Sequence, residues 1–501
     1  MGVVKLIQLI IAVAYFVIFS IIFGAIAKRK VKTGQDYFTA ANRLTWPLVM
    51  CTFVLSPLGS GHTSSLWEQQ TFMGISVLWW GILAGSVFVP IFMLWFGPWL
   101  RRLKVETFPQ GLAKLFGKKI GFYNASIAPA AWLGIAISEV LGTATAIYCL
   151  TAGRIPFTPG CVVIAGILCV VYMLFAGQLQ ASYMNVINAI MLIAGSFIAV
   201  VYLGGWLKGT EFGGFQGIAD WYAGNGNGWM TNIFHVDSNI LLGIMFPVVI
   251  LHVFAASSEH CMYLPVLAAK NTREIRKGAF PAAMINSLAA FPWVILGVCS
   301  VAIVGMENTT AKLCVPDLLL KAFPPALIGV VMVSLLCANL STASGLLLSM
   351  SHVVTDDIFR PLCGEKISEK GYYRLGVFLV VVCTILAVIP ALNAPVVLPL
   401  FFWCFSIGLP LFICYFLGMV WRVNRKAAWV TCLASLGVNF WWTFACPIAE
   451  GPFTNSYYPV LACAFILYFV LAVCLPGSKP AMLKRIREQE AAERKLKSAS
   501  A

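Results

Sequence analysis

The sequence predicts an all-α, polytopic membrane protein, and three observations carry that expectation. Hydrophobic residues make up 60% of the 501-residue chain and charged residues only 11%, a composition that fits a bilayer-embedded chain far better than a set of soluble domains. The apolar residues are gathered into thirteen stretches, each near the roughly 20 residues a helix needs to cross a hydrocarbon core of about 30 Å. The basic residues fall in alternate connections between those stretches.

The stretches run approximately over 5–27, 45–66, 75–99, 121–150, 159–177, 182–206, 239–266, 279–304, 325–352, 374–392, 396–421, 428–446 and 456–475. KRKVK follows the first, RRLK the third, AAKNTREIRK the seventh and WRVNRK the eleventh. KPAMLKRIREQEAAERKLK follows the last. With the N-terminus outside and the C-terminus inside, all of these are cytoplasmic, and only Lys5, Arg154, Lys208, Lys312 and Lys321 of the 34 Lys and Arg residues fall outside. That asymmetry is the positive-inside rule. It also disposes of nucleic acid as the reason for the net charge of +15, because the charge is spread over short loops. In the first stretch the positive cluster follows the apolar run, the reverse of a cleavable signal peptide.

Two stretches are irregular. The second contains SPLGSGHTSS, Ser56 to Ser65, which places a proline, two glycines and several hydroxyls at mid-membrane depth. In the seventh, FPVVILHVFAASSEH, Pro247 and the polar group Ser257 to His260 are expected to interrupt the helix. Backbone groups freed at that depth are tolerated only when buried in protein or lining a cavity. Breaks five spans apart, at matching positions of two halves, point to an inverted-repeat carrier with its site at the breaks. The 208–238 connection, rich in Gly and Trp, has the composition of an external lid, and the C-terminal tail reads as a short charged interfacial helix.

The ninth stretch carries ANLSTASGLLLSMSHVVTDDIFRP. On a helix Ala338, Ser341, Thr342, Gly345 and Ser349 share one narrow face. Such a face serves close helix packing, which needs only small residues. It equally serves a hard cation, since adjacent hydroxyls and freed carbonyls can replace a hydration shell. Spacing alone leaves both readings open.

This stretch closely resembles the signature of the sodium:solute symporter family, whose members include proline, pantothenate, sialic acid and sugar symporters. The segments DYFTAANR, LKVETFPQGLAKLFGKK, AGQLQASYMNVIN and LPVLAAKNTREIRKGAF extend the resemblance over residues 5–475. It implies a LeuT-type five-plus-five inverted repeat. Residues 1–43 would hold an extra helix and loop, 44–206 the first repeat, 207–238 an extracellular loop, 239–421 the second repeat, 422–476 two further helices and 477–501 a basic tail. By the same resemblance Na⁺ is the coupling ion, held by the carbonyls of Ser56, Gly59 and Ala338 and the hydroxyls of Ser341 and Thr342. Asp356 and Asp357 would mark the cytoplasmic exit. Members with a second sodium ion carry an aspartate where this chain has Asn185, so one Na⁺ per solute is expected.

The solute is expected beside the two breaks, with Ser60, His62 and Thr63 after the first and His252, Ala256 and Glu259 on one face of the seventh span. Intramembrane ionisable residues are costly and functional by default. Even so, Glu259 also fits a local brace and Glu139 a buried structural acid. Trp67, Trp79, Trp80 and Trp403 fit the interfacial belt or a cavity wall. A histidine and hydroxyl pocket suits a small polar organic solute, carboxylate or amino-acid-like, carried across the plasma membrane without an obligatory protein partner. A proton-driven or uncoupled carrier and a membrane sensor are the competing readings. An enzyme is disfavoured, since no H-E-x-x-H, G-x-S-x-G or P-loop pattern occurs.

Overall fold

The computed structural model describes residues 7–29, 43–56, 58–173, 177–393, 397–446, 448 and 451–499. Among these, ten helices are long and apolar enough to cross a membrane, with Trp46–Leu55 and Phe157–Tyr172 as shorter apolar ones. Each of the thirteen predicted stretches coincides with a helix or with a pair of helix pieces. In chain order these are α1 (Ile7–Lys28), α2 (Trp46–Leu55), α3 (Ser60–Met73), α4 (78–102), α5 (Phe108–Phe116), α6 (Lys118–Leu150), α7 (157–173), α8 (Gly177–Leu207) and α9 (Phe215–Gly224). There follow α10 (238–255), α11 (His260–Ala268), α12 (Thr272–Val304), α13 (Cys314–Ala322), α14 (Pro325–Cys363), α15 (Glu369–Ala391), α16 (Val397–Val420), α17 (Arg425–Ala445), α18 (Tyr457–Cys474) and α19 (Met482–Ala499).

Local chemistry sets the ends. The Thr107 hydroxyl accepts from Gln110 N to start α5, Asn271 Oδ1 accepts from Glu274 N to start α12, and Asn424 Oδ1 accepts from Ala427 N to start α17. Each satisfies an amide that a helix start leaves orphaned. After α5, Gly117 turns the chain at φ +100, where the Arg425 guanidinium lies so close that a Cβ would overlap it. Only glycine meets both demands.

The interior is built around α14, which packs along α8, α6, α1 and α15. Small residues let helices approach closely, as at Gly85 of α4, where a Cβ would fall 2.5 Å from the backbone nitrogen of Ser287 on α12. The cysteines of the apolar stretches, among them Cys51, Cys149, Cys161, Cys169, Cys337 and Cys404, are buried as small packing residues.

One expectation is corrected. Pro247 does not interrupt the seventh span: it stands at the start of a helical turn, and the helix runs on through wide turns on both sides. The break falls only at Ala256–Glu259, where Glu259 adopts φ −77, ψ 123. Proline lacks only its own amide bond, which wide turns can absorb. The polar run, which can bond to freed carbonyls, is what opens the backbone.

The 208–238 connection folds over the α3–α4 corner. Ser76 Oγ donates to the carbonyls of Asn232 and His235, Trp79 Nε1 donates to Ile233 O, and Tyr222 OH donates to Val298 O. Beside it Lys312 is held below its usual pKa by burial, with the Glu68 carboxylate opposing that shift. At the basic end, Leu44 N donates to Ala268 O and Lys270 N to Leu44 O, so the chain entering α2 is clipped to the end of α11. Arg101 of α4 seals the clip by donating to the carbonyls of Val266, Leu267, Ala269 and Lys270.

Candidate functional site

The first break lies between α2 and α3. Ser56 caps α2, and Gly59 stands extended before α3 at φ −80, ψ −159. Its exposed backbone groups find several partners. Thr342 Oγ1 of α14 donates to Leu55 O at 2.6 Å and contacts Ala338 O at 3.2 Å. Ser56 Oγ donates to Thr52 O, while Thr63 N and Oγ1 both donate to Gly59 O. A hydroxyl of the small-residue face therefore does meet the broken backbone, as the hydroxyl spacing allowed.

The second hydroxyl turns elsewhere. Ser341 Oγ donates to Asn185 Oδ1 at 2.8 Å, so only Thr342 faces the Leu55 carbonyl directly. In this conformation the two hydroxyls are therefore not presented side by side to the break. Because Ser341 and Thr342 are about 100° apart around α14, one faces α2 and the other α8. Asn185 of α8 is the partner of Ser341.

The second break resembles the first in construction. Ser258 Oγ donates to Ala255 O and Tyr263 OH to Ser257 O, and the Glu259 carboxyl lies beside Cys261 Sγ at 3.4 Å. Ser56, Thr342, His252, Ala256 and Glu259 line one void together with Ile135, Glu139, Met262, Leu346, Phe401 and Phe405. Its volume is about 20 Å³, the room of a single water molecule. Larger recesses of about 570 and 580 Å³ lie at the two ends of the helix bundle, one lined by Phe72, Trp229 and Asp237, the other by Gln110, Lys114 and the acids Asp356 and Asp357. Among the described residues, the central void is far smaller than either recess.

The void brings together five predicted residues. Thr63 is buried at the first turn of α3, bonded to Gly59 O, while the side chains of Ser60 and His62 lie outside the described residues. His252 is buried, with Nδ1 3.0 Å from Val248 O, and its ring sits among Trp80, Phe88, Phe401 and Phe405. Trp80 packs behind the void, against His252 and Phe401. Trp67 packs edge-on against Trp293 in the core, and Trp403 reaches Thr443. Phe401 and Phe405 were not singled out in the sequence, although their i, i+4 spacing on α16 was visible.

Glu139 takes a position that spacing did not fix. It is 1% exposed, and a Cβ added to Gly59 would meet its carboxyl atoms at 2.2–2.4 Å. The carboxylate of α6 is therefore pressed against the bare backbone of the first break, which only glycine permits.

A second buried polar chain ties α11 to α14. His260 Nε2 lies 2.9 Å from His352 Nδ1, His352 Nε2 lies 3.0 Å from Asp356 Oδ2, and Arg360 Nε donates to Asp356 Oδ1. Gln110 Nε2 donates to Asp357. A His352→Leu protein should lose about 1–3 kcal/mol, because the buried His260 Nε2 loses its partner while Asp356 keeps the bond from Arg360. Thermal unfolding of the single and double His260→Leu and His352→Leu proteins checks this: strictly additive losses would deny the contact.

The same overall fold occurs in the structure of a substrate-bound, outward-open Na⁺-coupled sialic acid symporter, at a TM-score of 0.77 and 15% identity, covering 95% of this chain and 99% of that one. It is the LeuT-type inverted repeat. Among sequence relatives, the sodium/myo-inositol cotransporter 2 of Rattus norvegicus is 24% identical, covering 84% of this chain and 67% of its own length. The rat sodium/glucose cotransporter 2 is 25% identical, covering 72% of this chain and 59% of its own length. The chain thus spans about two thirds or less of these longer proteins. These relatives are transporters, not enzymes, and the helices make this a multi-pass membrane protein. The model of the sodium:solute symporter family matches residues 37–434, both breaks and the hydroxyl face included, and the chain belongs to that family.

Proposed function

We propose that the protein is a secondary active transporter of the plasma membrane, moving a small polar organic solute into the cell by symport with Na⁺ through alternating access. The observation that carries this is the convergence of both helix breaks on one void, with Thr342 of α14 bonded to the first break. Na⁺ is held by the carbonyls of Ser56, Gly59 and Ala338 with the hydroxyls of Thr342 and, after release from Asn185, Ser341. Oxygens gathered this way replace the hydration shell of a hard cation. Asn185 carries no charge to attract another ion, so one Na⁺ accompanies each solute.

The solute binds between the breaks, with His252, Ala256 and Glu259 on one side and Ser60, His62 and Thr63 on the other. Of the classes the sequence suggested, a bare carboxylate is the poorer match, since the void already presents Glu139 and Glu259. An amino-acid-like solute fits better. Ion and solute share the first break, so each changes the conformational population that the other meets. In proteoliposomes at fixed pH, replacing Na⁺ by K⁺ should lower concentrative uptake at least ~10-fold. Uptake that follows an imposed pH gradient and ignores Na⁺ would favour the proton-driven reading instead.

A further inference from the structure

We infer that the solute of this carrier bears a protonated amine, and that Glu259 receives its ammonium group at the void between the breaks once that void widens beyond its present single-water volume. The inference rests on the symporter reading above and narrows its substrate class.

Among the described residues, the void is lined by two acids, Glu139 and Glu259, and by no lysine or arginine. Glu259 is 2% exposed. Its Oε2 lies beside the Cys261 thiol at 3.4 Å, a weak donor. Its Oε1 is buried and has no hydrogen-bond partner among the described residues. An acid in that state calls for a cation with N–H donors, because a buried charge is tolerated only when paired and hydrogen-bonded.

The neighbours of Glu259 decide which cation. Along the void stand Phe401, Phe405, Met262, Ile135 and Leu346, which offer ring faces and hydrocarbon and no further oxygens. A hard metal ion needs a shell of several oxygens, whereas an alkylammonium needs one strong acceptor, ring faces for its charge and apolar contact for its carbons. The oxygens that suit a metal ion are those of Ser56, Thr342 and the Gly59 break. A neutral polyol would leave Glu259 Oε1 facing a hydroxyl and its charge uncompensated.

The test uses the full-length purified protein and matched pairs of probes differing only in the amine: putrescine against 1,4-butanediol, and alanine against lactate, with myo-inositol as a neutral polyol. Thermal stability and competition for uptake are measured with and without Na⁺. One amine of the panel should stabilise the protein in a Na⁺-dependent way while its oxygen isostere does not. Glu259→Gln should weaken that amine on the order of 100-fold, and Glu259→Asp should recover part of the loss. Stabilisation by Na⁺ alone, measured in the same variants, shows that they are folded.

Equal or better recognition of the diol, lactate or myo-inositol overturns the inference and leaves Na⁺ symport standing. Recognition of an amine with no effect of Na⁺ supports the inference and overturns the symport reading. A panel in which no amine acts, in a protein that Na⁺ stabilises, counts against the ammonium.

Discussion

Uptake by a Ser341→Ala/Thr342→Ala protein is expected to lose its dependence on Na⁺, with Na⁺ activation weakened on the order of 100-fold, while the protein remains folded. The two hydroxyls do different things in this structure. Thr342 Oγ1 holds the last carbonyl of α2, whereas Ser341 Oγ is tied to Asn185. Thr342→Ala therefore removes both an ion ligand and a link between α14 and the break, and Thr342→Ser should restore both. Ser341→Ala removes a ligand and frees Asn185. Asn185→Asp adds a formal charge beside Ser341, and the Hill coefficient for Na⁺ should then move from near one toward two. Flux measured against Na⁺ concentration checks all five proteins. Unchanged Na⁺ activation in the double variant would place the ion elsewhere.

Replacing Gly59 by alanine is the second large effect. The new methyl would fall 2.2–2.4 Å from the carboxyl atoms of Glu139, and the carboxylate, 1% exposed, has no solvent to retreat into. Overpacking of this kind costs about 1–3 kcal/mol, and here it acts at the point where the break is shaped. Transport should fall on the order of 100-fold, with a lower unfolding temperature. Gly59→Ala/Glu139→Asp shortens the acid by one methylene and should recover stability first and transport in part. If Gly59→Ala alone transports normally, Glu139 does not set the geometry of the break.

Much of this was legible before any coordinates. The spans were, because a helix in lipid must satisfy its backbone internally and be apolar for its whole length, which leaves a signal some twenty residues long. The breaks were visible as polar runs, Ser56 to Ser65 and Ser257 to His260. The proline at 247 misled because a missing amide can be absorbed by a wide turn. What could not be read was which residues from distant spans meet. Nothing in the spacing says that Glu139 of α6 presses on Gly59, that Ser341 selects Asn185 over the break, or that Phe401 and Phe405 wall the same void as Glu259. Those are facts of helix rotation and crossing, fixed by packing over the whole bundle.

The backbone clip between Leu44 and the residues flanking Ala269, sealed by Arg101, constrains how release can happen. Neither inner half-helix can swing away alone without stranding several main-chain carbonyls in a low-dielectric environment. In the proposed alternating-access cycle, both are expected to tilt as a single lever carrying the tip of α4, with the exit widening by rotation about the two unwound segments. A crosslink between positions 44 and 269 would then leave turnover intact, and a crosslink from this lever to α14 would arrest it.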